Sequence, residues 1–354
     1  MITGIVCEFN PFHKGHKYLI DAVKKSEHDA VICCMSGNFV QRGEFAVYDK
    51  FKRAETAIEN GADLVIELPT VFSTLSAEGF CRAGIQLIEA TGVADRIAFG
   101  AENDSIDVLS DIADKLNDRS IQAEIANEMK SGISFPKARS NVLKSDILNY
   151  PNNILAVEYL KAASLPCFAV QRIGKGHDTD DQEYSASAIR SQLDINEISS
   201  ICNCETAVLS KLRMMNVEDF KKIADVSEGL ENKIEKAVRE ATSLDELYNL
   251  IKSKRYTHSR IRRIILRAYL GIEQIPDEAP YIRILGFNKK GKELLSKMKK
   301  TASKPIITKL KDCSEEALPF FIEECRFTDL YNLGYKKPLP CGTEQRAKII
   351  IKQY

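Results

Sequence analysis

Short apolar runs alternate with amphipathic segments along the first half of the chain. The runs are rich in β-branched residues and have the length of buried strands, and they occupy residues 2–7, 30–35, 63–68, 96–99 and 166–170. Segments with helical periodicity separate them, at residues 16–25, 48–60, 75–90 and 105–163. Strands that alternate with helices form βαβ units, so the pattern predicts an α/β domain with a doubly wound parallel sheet.

The pattern changes after residue 190, where strand-like runs become rare. Residues 195–271 have mostly helical periodicity, and the segment from Tyr281 onward is rich in lysine and interrupted by glycine and proline. We therefore predict a boundary near residues 195–205. It separates an α/β domain over residues 1–198 from a mostly α-helical domain over residues 199–354.

The net charge of zero conceals opposite charges in the two halves of the chain. Residues 1–200 carry 20 Lys and Arg against 29 Asp and Glu, whereas residues 201–354 carry 30 against 21. A basic C-terminal half favours a polyanionic partner.

Composition favours a cytoplasmic protein without membrane association. The N-terminal residues lack the basic region of a signal peptide, and no apolar run approaches the roughly 20 residues of a membrane span. The ten cysteines include no Cys-x-x-Cys pair, and several lie inside apolar runs. This distribution is typical of reduced structural thiols and not of a zinc site.

Two of the five histidines follow the first predicted strand. His13 and His16 are three residues apart around Gly15, just after Asn10 and Pro11. Ligands bind at the carboxyl ends of strands in such sheets, and the start of the next helix attracts phosphate. The glycine lets a nucleotide approach the backbone, and two imidazoles can stabilise charge that develops on a phosphate. A pair of metal ligands and two unrelated surface histidines are the alternatives.

A second phosphate motif is predicted in YSASAIRSQL, residues 184–193. Ser185 or Ser187 can cap the helix that follows, and Arg190 lies on its first turns. An ordinary capped helix has the same pattern. The motif therefore supports a phosphate site mainly because the two histidines occur in the same predicted domain.

The loop after the second predicted strand is rich in hydrogen-bonding side chains. Arg42 in this loop can bind a carboxylate or a phosphate through two parallel hydrogen bonds. Asp49, Lys50 and Arg53 begin the next helix, where Asp49 and Arg53 have the spacing of a structural ion pair.

No acidic residue occurs between residues 247 and 272, although the segment holds seven positive charges. Its apolar spacing predicts a helix on which Arg260, Arg263 and Arg267 share an exposed face. With Tyr256 and His258 nearby, this face suits an RNA backbone and an unstacked base. A solvated helix surface is the alternative. The lysine-rich residues 287–300 either extend the basic surface or serve solubility.

Five motifs in order resemble the bacterial tRNA(Met) cytidine acetate ligase family: GIVCEFNPFHKGH, MSGNFVQRGEFAVYDKFKRAE, GADLVIELP, PNNILAVEYL and YTHSRIRRIIL. The H-x-G-H and S-x-S-x-I-R patterns are also similar to those of the wider nucleotidyltransferase superfamily. That superfamily has a Rossmann-like fold and includes class I aminoacyl-tRNA synthetases and adenylyltransferases. The resemblance covers most of the chain, and Cys7 stands where the family pattern has a small alanine.

The resemblance implies an ATP-dependent ligase that activates acetate as acetyl-adenylate. It would then acetylate N4 of the wobble cytidine of elongator tRNA(Met). A Mg²⁺ ion is expected on the nucleotide and not in a site made by protein ligands.

The resemblance also implies which residues contact ATP. The first set follows the first strand and comprises Cys7, Glu8, Phe9, Asn10, Pro11, Phe12, His13, Lys14, Gly15, His16, Lys17, Tyr18, Leu19 and Ile20. The second set comprises Gly100, Asn152, Asn153 and Arg172. For the two asparagines, capping of the helix after Pro151 is an equally good explanation.

Combining the resemblance with the chemistry of the residues gives two further sets. Catalytic roles are expected for His13, His16, Arg42, Ser187 and Arg190. RNA contacts are expected for Lys252, Lys254, Arg255, Arg260, Arg263 and Arg267.

Two other functions fit parts of the sequence. A small-molecule adenylyltransferase would use the same first domain, but the basic segment would then have no role. A non-catalytic RNA-binding protein would need neither phosphate motif. ATP–pyrophosphate exchange separates the three, because it depends on acetate in the first case, on another acceptor in the second, and is absent in the third.

Overall fold

A computed structural model of the protein describes residues 1–172, 185–227 and 229–353. Its strands are β1 (Ile2–Cys7), β2 (Ala30–Ser36), β3 (Phe39–Val40), β4 (Glu44–Phe45), β5 (Leu64–Leu68), β6 (Arg96–Ala101), β7 (Cys167–Gln171), β8 (Ile282–Phe287), β9 (Ile306–Ile307) and β10 (Ile350–Ile351). Its helices in the first half are α1 (Lys14–Val23), α2 (Lys50–Glu59), α3 (Thr70–Ser73), α4 (Ala77–Ala90), α5 (Ile106–Asn117), α6 (Arg119–Met129), α7 (Phe135–Leu143), α8 (Pro151–Ala162) and α9 (Ala186–Gln192). The later helices are α10 (Glu205–Arg213), α11 (Val217–Lys222), α12 (Leu230–Glu240), α13 (Leu244–Ile251), α14 (His258–Leu270), α15 (Lys289–Thr301), α16 (Leu318–Tyr331) and α17 (Thr343–Arg346). None of these helices combines the length and apolar character that crossing a membrane requires.

The main sheet has the strand order β10-β8-β5-β2-β1-β6-β7, with β9 paired to β8. Five strands of this sheet come from the first half of the chain and are parallel to one another: β1, β2, β5, β6 and β7. Each of them lies within two residues of its predicted bounds. The predicted fold class, a doubly wound α/β sheet followed by a mostly helical part, is therefore confirmed. Because these five strands are parallel, their carboxyl ends share one edge, which is where such sheets bind ligands.

The central strands are buried on both faces, which explains their continuous apolar runs. Val6 of β1 faces α4, whereas Ile5 packs in the cluster that includes Ile20 of α1. Gly84 lets α4 approach the sheet closely, since a Cβ there would lie 2.6 Å from Val6 Cγ1. The two helices therefore cover opposite faces and leave the carboxyl edge open.

Three short strands follow the helical part, and the sequence analysis did not predict them. β8 pairs with β5 in the antiparallel sense, and β10 and β9 pair with β8. Arg283 and Gly286 interrupt the apolar character of β8, and the other two strands have two residues each, so their local signal is weak. The proposed division near residue 198 stays a prediction, but residues 282–287 belong to the sheet of the first half.

Four fully buried charged side chains link this returning segment to the first half. Lys50 Nζ lies 2.6 Å from Glu67 Oε1 and 2.9 Å from Glu344 Oε1. Arg283 pairs with the same two carboxylates, at 3.2 Å to Glu67 Oε2. Each of the four side chains is at most 2% exposed. We call these residues the buried ion cluster.

Candidate active site

A cavity of about 630 Å³ opens at the carboxyl edge of the sheet, where β1, β6 and β7 end. Its walls come from the loop after β1, the start of α1, the loop between β3 and β4, and parts of α4, α8 and α9. Ser259, at the start of α14, also lines it. The cavity thus draws together residues that are up to 254 positions apart.

Most of the predicted ATP and catalytic residues line this cavity: Cys7, Glu8, Phe9, Asn10, His13, Gly15, His16, Tyr18, Leu19, Arg42, Gly100, Asn152, Arg172, Ser187 and Arg190. The remaining predicted ATP contacts are absent from its lining: Pro11, Phe12, Lys14, Lys17, Ile20 and Asn153. Lys17 instead forms an ion pair with Asp21 on the surface of α1. Which of the lining residues bind a nucleotide stays a prediction.

His13 and His16 stack at the start of α1. His13 caps the helix, and the two ring centroids are 3.6 Å apart with planes inclined by 19°. The backbone N–H of His13 donates to Nδ1 of His16 at 3.3 Å, so the proton of a neutral His16 resides on Nε2. Nδ1 of His13 is buried without a hydrogen-bond partner in the described part of the chain. A buried polar atom of this kind is available to a ligand.

Both imidazoles are held in the neutral form. Burial, assisted by Arg172 and Arg190, lowers the pKa of His13 to about 4. Burial, His13 and Arg172 lower the pKa of His16 well below its ordinary value. The same arginines that disfavour imidazolium attract an anion, so the site suits phosphate oxygens.

We expect the unliganded protein to lose stability through His13 as the pH falls below about 6.5. The folded-state pKa near 4 lies below the unfolded value near 6.5, so the unfolded chain binds more protons between those values. Between pH 7 and 5, the free energy of unfolding should fall by on the order of 1 kcal/mol more in wild type than in His13→Asn. Urea denaturation at both pH values measures this difference. His28→Asn, at an exposed position, should follow wild type, and equal losses in His13→Asn and wild type would contradict the lowered pKa.

The two predicted phosphate motifs are in direct contact. Nη1 of Arg190 donates to the carbonyl oxygen of Asn10 at 2.7 Å, and its Nη2 donates to Oγ of Ser187 at 3.1 Å. Ser185 caps α9 by accepting a bond from the N–H of Ala188. Tyr184, the first residue of the motif, lies outside the described residues. Arg190 therefore connects the histidine loop to the serine turn.

Asn152 and Arg172 line the cavity together with Glu102. Nδ2 of Asn152 donates to Oε1 of Glu102 at 2.6 Å, and its Oδ1 accepts from Nη1 of Arg172 at 3.1 Å. A Cβ on Gly100 would meet nothing closer than 3.5 Å, so the strand end has free space beside it. The sequence reasoning missed Glu102, whose partners are 50 residues away.

Both polar atoms of the buried Asn153 side chain are hydrogen-bonded to the backbone of the protein. Its Oδ1 accepts from the N–H of Asn103 at 2.9 Å, and its Nδ2 donates to the carbonyl oxygen of Ile147 at 3.0 Å. Neither bond caps α8, whose N-cap residue is Tyr150 and which has no side-chain cap, so the capping explanation is wrong for Asn153. Asn152, in contrast, lines the cavity.

The loop between β3 and β4 packs directly on α14. Gly43 has a φ of +75°, and a Cβ there would lie 2.5 Å from the backbone nitrogen of Arg263. Glu44 Oε1 pairs with Nη1 of Arg262 at 2.6 Å. Arg42, next to this pair, has an exposed side chain at the cavity mouth.

The predicted ion pair between Asp49 and Arg53 is absent. Asp49 instead caps α2, accepting from the N–H groups of Phe51 and Lys52. The buried guanidinium of Arg53 donates to the carbonyl oxygens of Glu8 and Ser36, at 2.6 and 3.1 Å. Arg53 therefore fixes the ends of β1 and β2 beside the cavity.

The prediction of an exposed arginine face on α14 is wrong. Arg263 and Arg267 are buried, and Arg267 binds Asp225 and the carbonyl oxygens of Thr74 and Ala224. Tyr256 is also buried, beneath Arg260. The exposed cations of this region are in the loop before the helix: Lys252, Lys254 and Arg255.

The lysine-rich helix α15 lies at the other edge of the sheet. Lys290 donates to the carbonyl oxygen of Asp29, just before β2, and Asn288 donates to Asp63, just before β5. These positions mark the amino ends of the strands, opposite the cavity. The lysines of α15 therefore do not extend a basic surface around the cavity mouth.

The described residues contain no group of three or more His, Cys, Asp or Glu side chains that could hold a metal ion. For His16, Nδ1 already accepts a backbone hydrogen bond. The stacked pair therefore does not have the geometry of two ligands to one metal.

Comparisons with known proteins agree with this description. A model of the HIGH Nucleotidyl Transferase family matches residues 1–204 and 197–346. The tRNA(Met) cytidine acetate ligase of Thermoanaerobacter sp. is 37% identical, over 97% of this chain and 98% of that one. The ligase of the same name from Acetivibrio thermocellus is 34% identical over 99% of both chains. The crystal structure of Thermotoga maritima TmcAL bound with alpha-thio ATP superimposes with a TM-score of 0.89 at 29% identity, covering 100% of each chain.

Proposed function

Since this chain belongs to the tRNA(Met) cytidine acetate ligase family, within the HIGH nucleotidyl transferases, we propose that it acetylates N4 of the wobble cytidine of elongator tRNA(Met) with ATP and acetate. The observation that carries this proposal is a stacked, neutral histidine pair in one cavity with Ser187, where Arg190 connects the loop before the histidines, at the carbonyl oxygen of Asn10, to Ser187. A relative of the same shape binds an ATP analogue, which supports ATP as the nucleotide here.

The cavity fits ATP in volume and in the chemistry of its walls. About 630 Å³ is within the range of small-molecule sites. His13, His16 and Arg190 offer nitrogen atoms to phosphate oxygens, and the orphaned Nδ1 of His13 lacks any protein partner in the described residues. Asn152 and Arg172, beside the open strand end at Gly100, suit the nucleoside.

The first chemical step joins acetate to the α-phosphorus of ATP. One carboxylate oxygen of acetate attacks this phosphorus, and the bond to pyrophosphate breaks. Nε2–H of His16 and the guanidinium of Arg190 would stabilise the charge that develops on the phosphate oxygens. Mg²⁺ on ATP would neutralise charge on the departing pyrophosphate. Orientation of the two substrates supplies the rest, so no protein nucleophile is needed.

The RNA would approach from the side of α14. Ser259 of α14 lines the cavity, and the exposed Lys252, Lys254 and Arg255 lie in the loop just before this helix. Cations in this loop would hold phosphates of the RNA near the reacting nucleotide. In this proposal residues 1–198 activate acetate and residues 199–354 present the RNA. The ten cysteines are free thiols, which is consistent with a cytoplasmic enzyme.

The decisive experiment is ATP–pyrophosphate exchange by the purified protein, followed by acetylation of tRNA. We expect exchange only when acetate is present, and N4-acetylcytidine in elongator tRNA(Met) by mass spectrometry of digested RNA. Exchange that depends on another acceptor would favour a small-molecule adenylyltransferase. Absence of exchange both with and without bulk tRNA would contradict the ligase function.

We expect the double variant Lys252→Ala/Lys254→Ala to bind tRNA about tenfold more weakly near 100 mM salt. Each lost phosphate contact should also reduce the slope of log affinity against log salt by about 1. Filter binding over a salt series measures both quantities. Lys299→Ala/Lys300→Ala on α15 is the matched control, because it removes two exposed lysines at the other edge of the sheet. Equal effects of the two double variants would contradict the assignment of the loop.

A further inference from the structure

Three carboxylates line a cavity that is otherwise suited to anions: Glu8, Glu44 and Glu102. Glu44 is paired with Arg262. Glu102 accepts bonds from the side chain of Asn152 at 2.6 Å and from the N–H of Asn153 at 2.9 Å. Two of the three carboxylates are therefore already occupied by the protein.

Glu8 differs from the other two. In the described part of the chain it accepts one hydrogen bond, at Oε1 from the N–H of Gln41 at 2.6 Å, and it forms no ion pair. Its Oε2 has no protein partner there, and Glu8 lines the cavity. A carboxylate oxygen without a protein partner is an acceptor, so in an anion site it suits a ligand group that donates a hydrogen bond.

The backbone around Glu8 is fixed on both sides. Arg53 donates to its carbonyl oxygen at 2.6 Å. Phe9 has a φ of +48°, a conformation that is unfavourable for a bulky residue. The buried ring of Phe9 lies 4.9 Å from the rings of both Phe12 and His16, and this packing holds the turn. The carboxylate is thus oriented before any ligand binds.

We propose that the carboxylate of Glu8 accepts a hydrogen bond from the N4 amino group of the cytidine that is acetylated, and takes a proton from this amino group during acetyl transfer. This inference rests on the proposed function. The N4 amine is the hydrogen-bond donor of cytosine, and Glu is its natural acceptor, whereas uracil presents an oxygen at the same position. Glu8 thereby both recognises the base and acts on it.

The step is balanced in atoms and electrons. N4 attacks the carbonyl carbon of acetyl-adenylate and forms the C–N bond. The C–O bond to AMP breaks, and its electron pair leaves with the AMP phosphate. The proton from N4 passes to Oε2 of Glu8 and then to solvent. Burial raises the pKa of Glu8, against the opposing effects of the Gln41 N–H and of Arg53, Arg42 and Arg190, which strengthens it as a base.

The test compares two rates in Glu8→Gln. The amide keeps an oxygen for the N–H of Gln41 but cannot take a proton. We would measure acetate-dependent ATP–pyrophosphate exchange, and single-turnover transfer to tRNA by protein preloaded with ATP and acetate. The ratio of transfer to exchange should fall at least about 100-fold. Glu8→Asp retains a carboxylate, and its ratio should recover at least about tenfold over that of Glu8→Gln.

Glu102→Gln is the matched control, since it alters a paired carboxylate in the same cavity. Any loss there should affect both rates together, so that the ratio stays within about threefold of wild type. Equal losses of both rates in Glu8→Gln would show that Glu8 only positions the loop of Gln41, and would overturn the inference. A wild-type protein that exchanges pyrophosphate but acetylates no RNA would overturn the proposed function as well.

Discussion

Replacing His16 with alanine should lower acetate-dependent ATP–pyrophosphate exchange by about 10²- to 10³-fold. The N–H of His13 already orients the ring by donating to Nδ1, which leaves Nε2–H as the ring's donor in a residue that lines the cavity. Removing one such donor removes stabilisation that exists mainly in the transition state. The loss should therefore appear in kcat, with a smaller change in the KM for ATP. Initial rates at varied ATP and saturating acetate measure both constants.

Two further variants separate chemistry from packing. His16→Gln carries an amide N–H near the position of Nε2 and should retain more activity than His16→Ala. His28→Ala changes an exposed histidine and should behave as wild type. A raised KM with an unchanged kcat in His16→Ala would show that His16 binds ground-state ATP and does not stabilise the transition state.

The features that the sequence predicted well are local. The five parallel strands and the helices between them are set by which face of each segment is buried, and that information repeats every two to four residues. The histidine loop could be placed because a ligand edge follows from the strand pattern alone. The connection of Arg190 to Asn10 spans 180 residues and became predictable only through the pairing of two motifs.

The features that the sequence did not predict depend on distant partners. A charged side chain on an amphipathic helix is usually exposed, and this assumption failed for Arg267. Its guanidinium finds carbonyl oxygens from the ends of other elements, and such fixed donors can be buried once they are paired. Glu44 and Arg262 are 218 residues apart, and β8 joins the sheet 214 residues after β5 ends. No local sequence pattern indicates these pairings.

Lys50→Met should lower the free energy of unfolding by about 3–5 kcal/mol. Despite the opposing effect of burial, Lys50 and Arg283 together lower the pKa of Glu344 to about 2, so this carboxylate is ionised. Burial and Glu67 raise the pKa of the neighbouring Glu324 to about 8, against the opposing effects of Lys50 and of the hydrogen bonds from Thr70. The buried ion cluster thus balances two cations against two anions. Removing Lys50 leaves an excess buried negative charge, whose desolvation is no longer offset.

Urea denaturation at pH 7 would measure this loss, with Lys115→Met as the matched control. Lys115 pairs with Asp111 at 2.6 Å, but both side chains are more than half exposed, so the change should be below about 1 kcal/mol. The double variant Lys50→Met/Glu344→Gln restores charge balance around Arg283 and Glu67 and should be more stable than Lys50→Met alone. A double variant that is less stable than Lys50→Met would show that individual contacts, and not the balance of charge, hold the C-terminal segment. If the expected order is found, charge balance is what fixes β8 and α17 against the sheet that carries the active site.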